Sequence, residues 1–123
     1  MTPRRHLLFD IWVDDRASLS DLPAWQACLE AGAEAAGATV LHSCFHLFEP
    51  EGLTGFLMLA ESHISVHTWP AEGYAAIDLF TCGSMEVERI LAPIRQRFAP
   101  RQEALTHHHR GTQRGETMHA ETK

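Results

Sequence analysis

The sequence predicts an α+β fold, a two-layer sandwich of an antiparallel-rich sheet with two helices on one face. Short runs with two-residue alternation outnumber stretches of helical periodicity, and along the chain they come in the order β-α-β-β-β-β-α-β. Strands that follow one another through short turns pair antiparallel, and such a sheet can offer one face to covering helices.

In chain order, residues 6–13 (HLLFDIWV) have strand composition and open the fold. Residues 14–22 are polar and turn-like; Ser20 or Asp21 can cap a helix whose first turn holds Pro23. Trp25, Cys28, Leu29, Ala33 and Ala36 recur near helical spacing until Gly37 ends the run. Residues 38–48 alternate as a second strand, with Val40, His42, Cys44, His46 and Phe48 on one side and Leu41, Ser43, Phe45 and Leu47 on the other. A turn at 49–52 leads into an apolar strand over 53–60. A hairpin follows: Ile64 and Val66 lie opposite Ser65 and His67, Pro70 and Gly73 interrupt the pattern, and another strand covers 74–82. Ser84 is the candidate cap of a second helix ending near Phe98, with Val87, Ile90, Leu91 and Ile94 as its buried stripe and Pro93 as an expected kink or break. Residues 102–109 read as the last strand, and the polar, aperiodic stretch 112–123 as a disordered tail.

With 123 residues and 45% hydrophobic content, the chain suits a single domain, expected over 1–111. Ten basic against 16 acidic residues leave a formal charge of -6, so there is no general electrostatic reason to bind nucleic acid or an anionic membrane. The three cysteines, Cys28, Cys44 and Cys82, suggest neither a disulfide framework nor a zinc site, and a reducing cytoplasm is the expected location. Asp10 interrupts the apolar run after Arg4 and Arg5, unlike a signal peptide, and no apolar stretch approaches the roughly 20 residues of a membrane span.

Residues 61–83, ESHISVHTWPAEGYAAIDLFTCG, concentrate the chemistry. Pairing the two arms of the hairpin is expected to bring Ser62 or His67 within reach of Cys82. The stretch resembles the signature of the bacterial and archaeal S-adenosylmethionine decarboxylases, proenzymes that cut themselves between a glutamate and a serine. Glu61-Ser62-His63, His67-Thr68-Trp69-Pro70 and Phe80-Thr81-Cys82-Gly83 carry the match, and weaker agreement runs from about residue 5 to residue 111.

Decarboxylating an amino acid requires an electron sink. Pyridoxal phosphate is normally anchored by a lysine, and the only lysine here is Lys123 at the end of the tail, so that cofactor is not expected. The resemblance implies a sink made from the chain itself: Ser62 attacks the Glu61 carbonyl, elimination and hydrolysis follow, and position 62 becomes a pyruvoyl group able to form a Schiff base with a substrate amine. The products would be a β chain of 1–61 and an α chain of 62–123. His67 matches the histidine that assists this cleavage, and an imidazole can exchange a proton near neutral pH. Cys82 matches the cysteine that protonates the substrate carbon after CO₂ leaves; thiols are largely protonated at neutral pH. Thr54 matches a hydroxyl linked to processing, though a plain strand threonine reads equally well. Phe48 and Trp69 match aromatics flanking the adenine ring, and both would also suit a core. His63, on the face opposite Ser62, reads as structural, and Cys28 and Cys44 as small buried hydrophobes.

One departure concerns substrate. The family usually carries a ribose-binding glutamate where this chain has Ala71; Glu72 is the neighbouring substitute, although adjacent side chains in extended chain point opposite ways. Because the aromatics and most of the motif are present, S-adenosylmethionine remains the first substrate; Ala71 makes L-ornithine or L-arginine the alternative, with Glu49, Glu51, Glu72 and Asp78 as candidates to meet a distal cation. The resemblance also implies a homodimer of processed protomers with sites at the subunit interface. A non-catalytic activating subunit is the reading from another class, opposed by the retention of Ser62, His67 and Cys82. His107, His108 and His109 alternate faces on a strand and have no acidic or cysteine partner at ligand spacing, so no metal is expected.

Overall fold

The computed structural model describes residues 4–112. Its elements are β1 (Arg4–Trp12), a 3-10 turn (Arg16–Ser20), α1 (Leu22–Ala35), β2 (Val40–Leu47), β3 (Leu53–Leu59), β4 (Ser62–Trp69), a 3-10 turn (Pro70–Glu72), β5 (Tyr74–Cys82), α2 (Glu88–Phe98) and β6 (Gln102–His109). The strands form one sheet in the order β2-β3-β4-β5-β1-β6, with every neighbouring pair antiparallel. Both helices pack on one face, so the expected α+β sandwich is the observed one. The stretch read as a disordered tail lies, from residue 113 on, outside the described residues.

Alternation decides which face is covered. Leu7, Phe9 and Ile11 of β1, Ile64 and Val66 of β4, and Ile77 and Leu79 of β5 are buried toward the helices, where they meet Trp25, Leu29, Ile90, Leu91 and Ile94. Each such side chain stabilises the fold by about 1.5–3 kcal/mol when fully buried. The Trp25 ring stacks on Phe98 with centroids 4.0 Å apart, tying α1 to α2, and its indole N–H donates to the Leu19 carbonyl at 3.1 Å. The other face carries His6, Asp10, Trp12, His63, Ser65, His67, Asp78 and Phe80, all half-buried or exposed, and neither helix covers it. We call it the open face. Among the described residues no helix is long and apolar enough to cross a membrane.

One local alternative is decided and other local expectations change. Asp21, not Ser20, caps α1: its Oδ1 accepts from the Ala24 N–H at 3.1 Å, while Ser20 Oγ accepts from the Gly52 N–H at the same distance. In β2 the register shifts between Val40 and His42, leaving Leu41 as an extra, 59% exposed residue, so Val40 does not share a face with His42. Ser84 precedes α2 without capping it; Val87 is the cap residue and makes no side-chain cap bond. Pro93 is inside α2, which continues to Phe98 without a break.

Two glycines matter to the site. A Cβ at Gly55 would collide with the Phe45 ring lying across β3, which fixes the strand that presents Thr54. Gly73 has φ +65° and lies 2.7 Å, at its would-be Cβ, from the Val13 carbonyl, so the turn from β4 into β5 requires it.

Candidate functional site

The β3–β4 connection is a two-residue turn, because Leu59 pairs with Ser62. Ala60 and Glu61 make it, and Glu61 has φ 63°. A side chain in that left-handed region meets the following carbonyl and costs about 1–2 kcal/mol. Glu61 carries this strain immediately before Ser62. Ser62 itself is 8% exposed and faces the helices, and its Oγ accepts the Cys82 N–H at 3.2 Å. The β4–β5 ladder sets this contact, with His63 opposite Phe80. In β5 the buried residues are Ala75, Ile77, Leu79 and Thr81, so the Cys82 side chain falls on the open face.

His67 lies elsewhere. It pairs with Thr54 on one side and Ala76 on the other, and its Nδ1 is 3.0 Å from Thr54 Oγ1. Five residues of one strand separate it from Ser62, roughly 16 Å at ~3.3 Å per residue. The odd offset also puts the two side chains on opposite faces. The hairpin thus brings Ser62 to the Cys82 backbone but does not bring His67 to either. Of the two residues expected to reach Cys82 across the hairpin, Ser62 does and His67 does not.

The remaining residues follow His67. Its ring is 6.2 Å from that of Trp69, Trp69 stacks on Tyr74 at 5.2 Å, and Tyr74 stacks on Trp12 at 5.4 Å. The Tyr74 hydroxyl donates to Asp10 Oδ1 at 2.7 Å, and burial together with that bond pushes the phenol up to about 12. Trp69 is 44% and Phe48 47% exposed, so neither is a core residue, and Phe48 packs edge-on against His46 at 4.6 Å. Ala71 and Glu72 sit in the 3-10 turn, both exposed, with the Ala71 carbonyl accepting from Arg16 Nη1 at 2.8 Å. Consecutive side chains of a 3-10 turn are about 120° apart, so Glu72 diverges from the direction of Ala71 less than the full opposition of an extended chain.

Two half-sites result: Glu61, Ser62 and Cys82 at one end of the β4–β5 ladder, and Thr54, His67, Trp69, Phe48 and Glu72 toward the other. Asp78 lies between them, paired with Ser65 and Leu8, while Glu49 and Glu51 are exposed in the β2–β3 loop. Cys28, in α1, is buried, and burial pushes its thiol up to about 11, as suits an inert core residue; Cys44, read as buried, is exposed. His107 and His109 share a face with rings 5.1 Å apart, and among the described residues no three His, Cys, Asp or Glu side chains gather as a metal-holding group. Sequence reasoning missed the Tyr74–Asp10 pair and the Thr54–His67 pair. Both are cross-strand relations that depend on register, and only the second had a usable signal, the very short β3–β4 turn.

A family model described as S-adenosylmethionine decarboxylase matches residues 5–111. The S-adenosylmethionine decarboxylase proenzyme of Prochlorococcus marinus (strain MIT 9313) is 40% identical over 109 residues, covering 88% of this chain and 87% of that one. The protein of the same name from Methanococcus vannielii is 46% identical over 79 residues, covering 64% and 65% respectively. The crystal structure of the adenosylmethionine decarboxylase from Aquifex aeolicus VF5 superposes with a TM-score of 0.82 at 32% identity, covering 94% of this chain and 97% of that one.

Proposed function

We propose that this chain, which belongs to the S-adenosylmethionine decarboxylase family, cuts itself between Glu61 and Ser62 and then decarboxylates S-adenosylmethionine. The observation that carries the reading is the strained turn: Glu61 at φ 63° abuts a buried Ser62 whose Oγ is already held by the Cys82 N–H at 3.2 Å. A serine hydroxyl fixed beside the carbonyl of a strained residue is suited to attack it, converting amide to ester. The residues present therefore fit a pyruvoyl group made from Ser62. Such a group supplies the electron sink for the departing CO₂.

The chain's own side chains divide the remaining tasks. Cys82, half-buried beside position 62, holds a proton at Sγ for the substrate carbon. His67, oriented by Thr54 at 3.0 Å, moves a proton during processing. Phe48 and Trp69, large and accessible, offer faces to a purine ring and to a sulfonium cation, the latter attraction amounting to about 0.5–2 kcal/mol. Glu72 stands in for the carboxylate that Ala71 lacks.

His67 and Ser62 can serve one reaction only if two copies meet. We infer a homodimer in which one open face packs on another about a twofold axis, setting the Ser62 end of each β4 against the partner's Trp69 end. The accessible Met58, at 45%, and Trp69 support an occupied face there.

Intact mass tests cleavage: fragments of 1–61 and 62–123, the second starting with a pyruvoyl group, are expected, and a persistent single chain overturns the reading. Substrate is tested with carboxyl-labelled S-adenosylmethionine, L-ornithine and L-arginine. Ala71 favours the latter two as the second reading. CO₂ from ornithine or arginine, with none from S-adenosylmethionine, overturns the first choice.

A further inference from the structure

We propose that Thr81 is a positioning residue for self-cleavage, its hydroxyl serving as the acceptor that orients the Ser62 hydroxyl toward the Glu61 carbonyl; this rests on the cleavage reading above. His63 pairs with Phe80, so the next residues outward, Ser62 and Thr81, both point toward the helices on adjoining strands. Directly opposed side chains on one face of an antiparallel pair lie within reach of each other. Ser62 is 8% and Thr81 1% exposed, so no bulk solvent competes between them.

Thr81 Oγ1 is buried and has no hydrogen-bond partner among the described residues. A buried hydroxyl without a partner opposes folding, and valine would supply the same β-branched shape without that cost. The only thing threonine adds here is the hydroxyl. On the other side of Thr81 its ladder neighbour is Arg5, which is turned to the Met85 carbonyl at 2.8 Å and has no acceptor to offer. Ser62 Oγ already receives the Cys82 N–H on one lone pair. Its own proton still needs an acceptor, and a second lone pair must face the carbonyl.

A rotation of the Thr81 side chain that brings Oγ1 to the Ser62 Oγ–H meets both needs. In the step it prepares, a bond forms from Ser62 Oγ to the Glu61 carbonyl carbon, the bond from that carbon to the Ser62 nitrogen breaks, and the hydroxyl proton ends on the nitrogen, which becomes an amine. Thr81 is unchanged at the end.

The test compares the wild-type chain with Thr81→Val and Thr81→Ser, following cleavage by intact mass after synthesis in a cell-free system. Melting temperatures are measured in the uncleavable Ser62→Ala background. Thr81→Val is expected to cleave about tenfold more slowly, the effect of one neutral hydrogen bond lost from the transition state, while its melting temperature is unchanged or higher. Thr81→Ser should restore cleavage to near the wild-type rate. Cleavage of Thr81→Val at the wild-type rate overturns the proposal alone, as does slow cleavage that follows a fall in melting temperature and is not rescued by serine. A wild-type chain that never cleaves overturns the proposal together with the reading beneath it.

Discussion

Mixing two inactive chains should restore cleavage. Ser62 and His67 are fixed in one strand that is paired on both sides, five residues and roughly 16 Å apart on opposite faces, so no side-chain motion joins them within a protomer. A Ser62→Ala chain has no nucleophile, and a His67→Ala chain should cleave slower by about 10²-fold or more, the usual loss for a missing general acid or base. In the twofold dimer inferred above, the Ser62 end of one β4 lies against the His67 end of the other. Co-folding the two variants in equal amounts places about half of the His67→Ala chains in mixed dimers, each with one complete site. About half of all the His67→Ala chains should then be cut at the wild-type rate. The variants differ in mass, so mass spectrometry reads the cut chain unambiguously, and a purification tag on one variant counts the mixed dimers. If mixed dimers are present and the His67→Ala chain shows no rapid phase, the composite site is wrong. If His67→Ala alone cleaves as fast as wild type, His67 has no part in processing.

Replacing Glu61 by glycine in the Ser62→Ala background removes the left-handed penalty and should raise the unfolding free energy by about 1 kcal/mol, read from urea midpoints; an unchanged or lower midpoint means the turn is not strained. Tyr74 is the only tyrosine, so tyrosinate absorbance reports it alone, with a midpoint expected at about 12 because burial, and then the bond to Asp10, favours the neutral phenol. The sign follows from linkage: a folded pKa above the unfolded value of about 10 stabilises the protein fully below pH 10, and that stability is lost as pH rises through the folded value. Asp10→Asn should lower the midpoint, and a wild-type midpoint near 10 contradicts the pairing. Thr54→Val removes the partner of His67 Nδ1 and should slow cleavage about tenfold with little effect on melting temperature; an unaltered rate assigns Thr54 a purely structural place.

Much of this was legible in the residues themselves. Residues 102–109 were readable as a strand to the residue, because Ala99 and Pro100 close the helix before them and the pattern ending in Arg110 and Gly111 resembles the family's last strand. Ile64 and Val66 facing away from Ser65 and His67 was readable too, since period two leaves no freedom once one face is apolar. The bulge at Leu41 was not, because β2 is an edge strand with mixed polarity on both sides and either register leaves similar residues exposed. The start of α2 was misplaced at Ser84, a good cap type by composition; residues 83–87 instead form the bend that drops Val87 onto the core. The candidate catalytic residues came from resemblance, and their division into two half-sites came from register. The parity of positions 62 and 67 already put them on opposite faces, but the closeness of Ser62 to the Cys82 N–H depended on how the Pro70–Glu72 turn sets β4 against β5.

The strand order has a consequence for the cleavage proposed between Glu61 and Ser62. Cutting after residue 61 assigns β1, β2 and β3 to one piece and β4, β5 and β6 to the other, yet across the sheet they run β2-β3, then β4-β5, then β1, then β6. The pieces are interleaved, sharing three antiparallel seams and the packed pair α1 and α2. Separation would require tearing all of them at once. The nick therefore frees a new chain terminus inside an intact sheet, and the halves should part only when the whole domain unfolds.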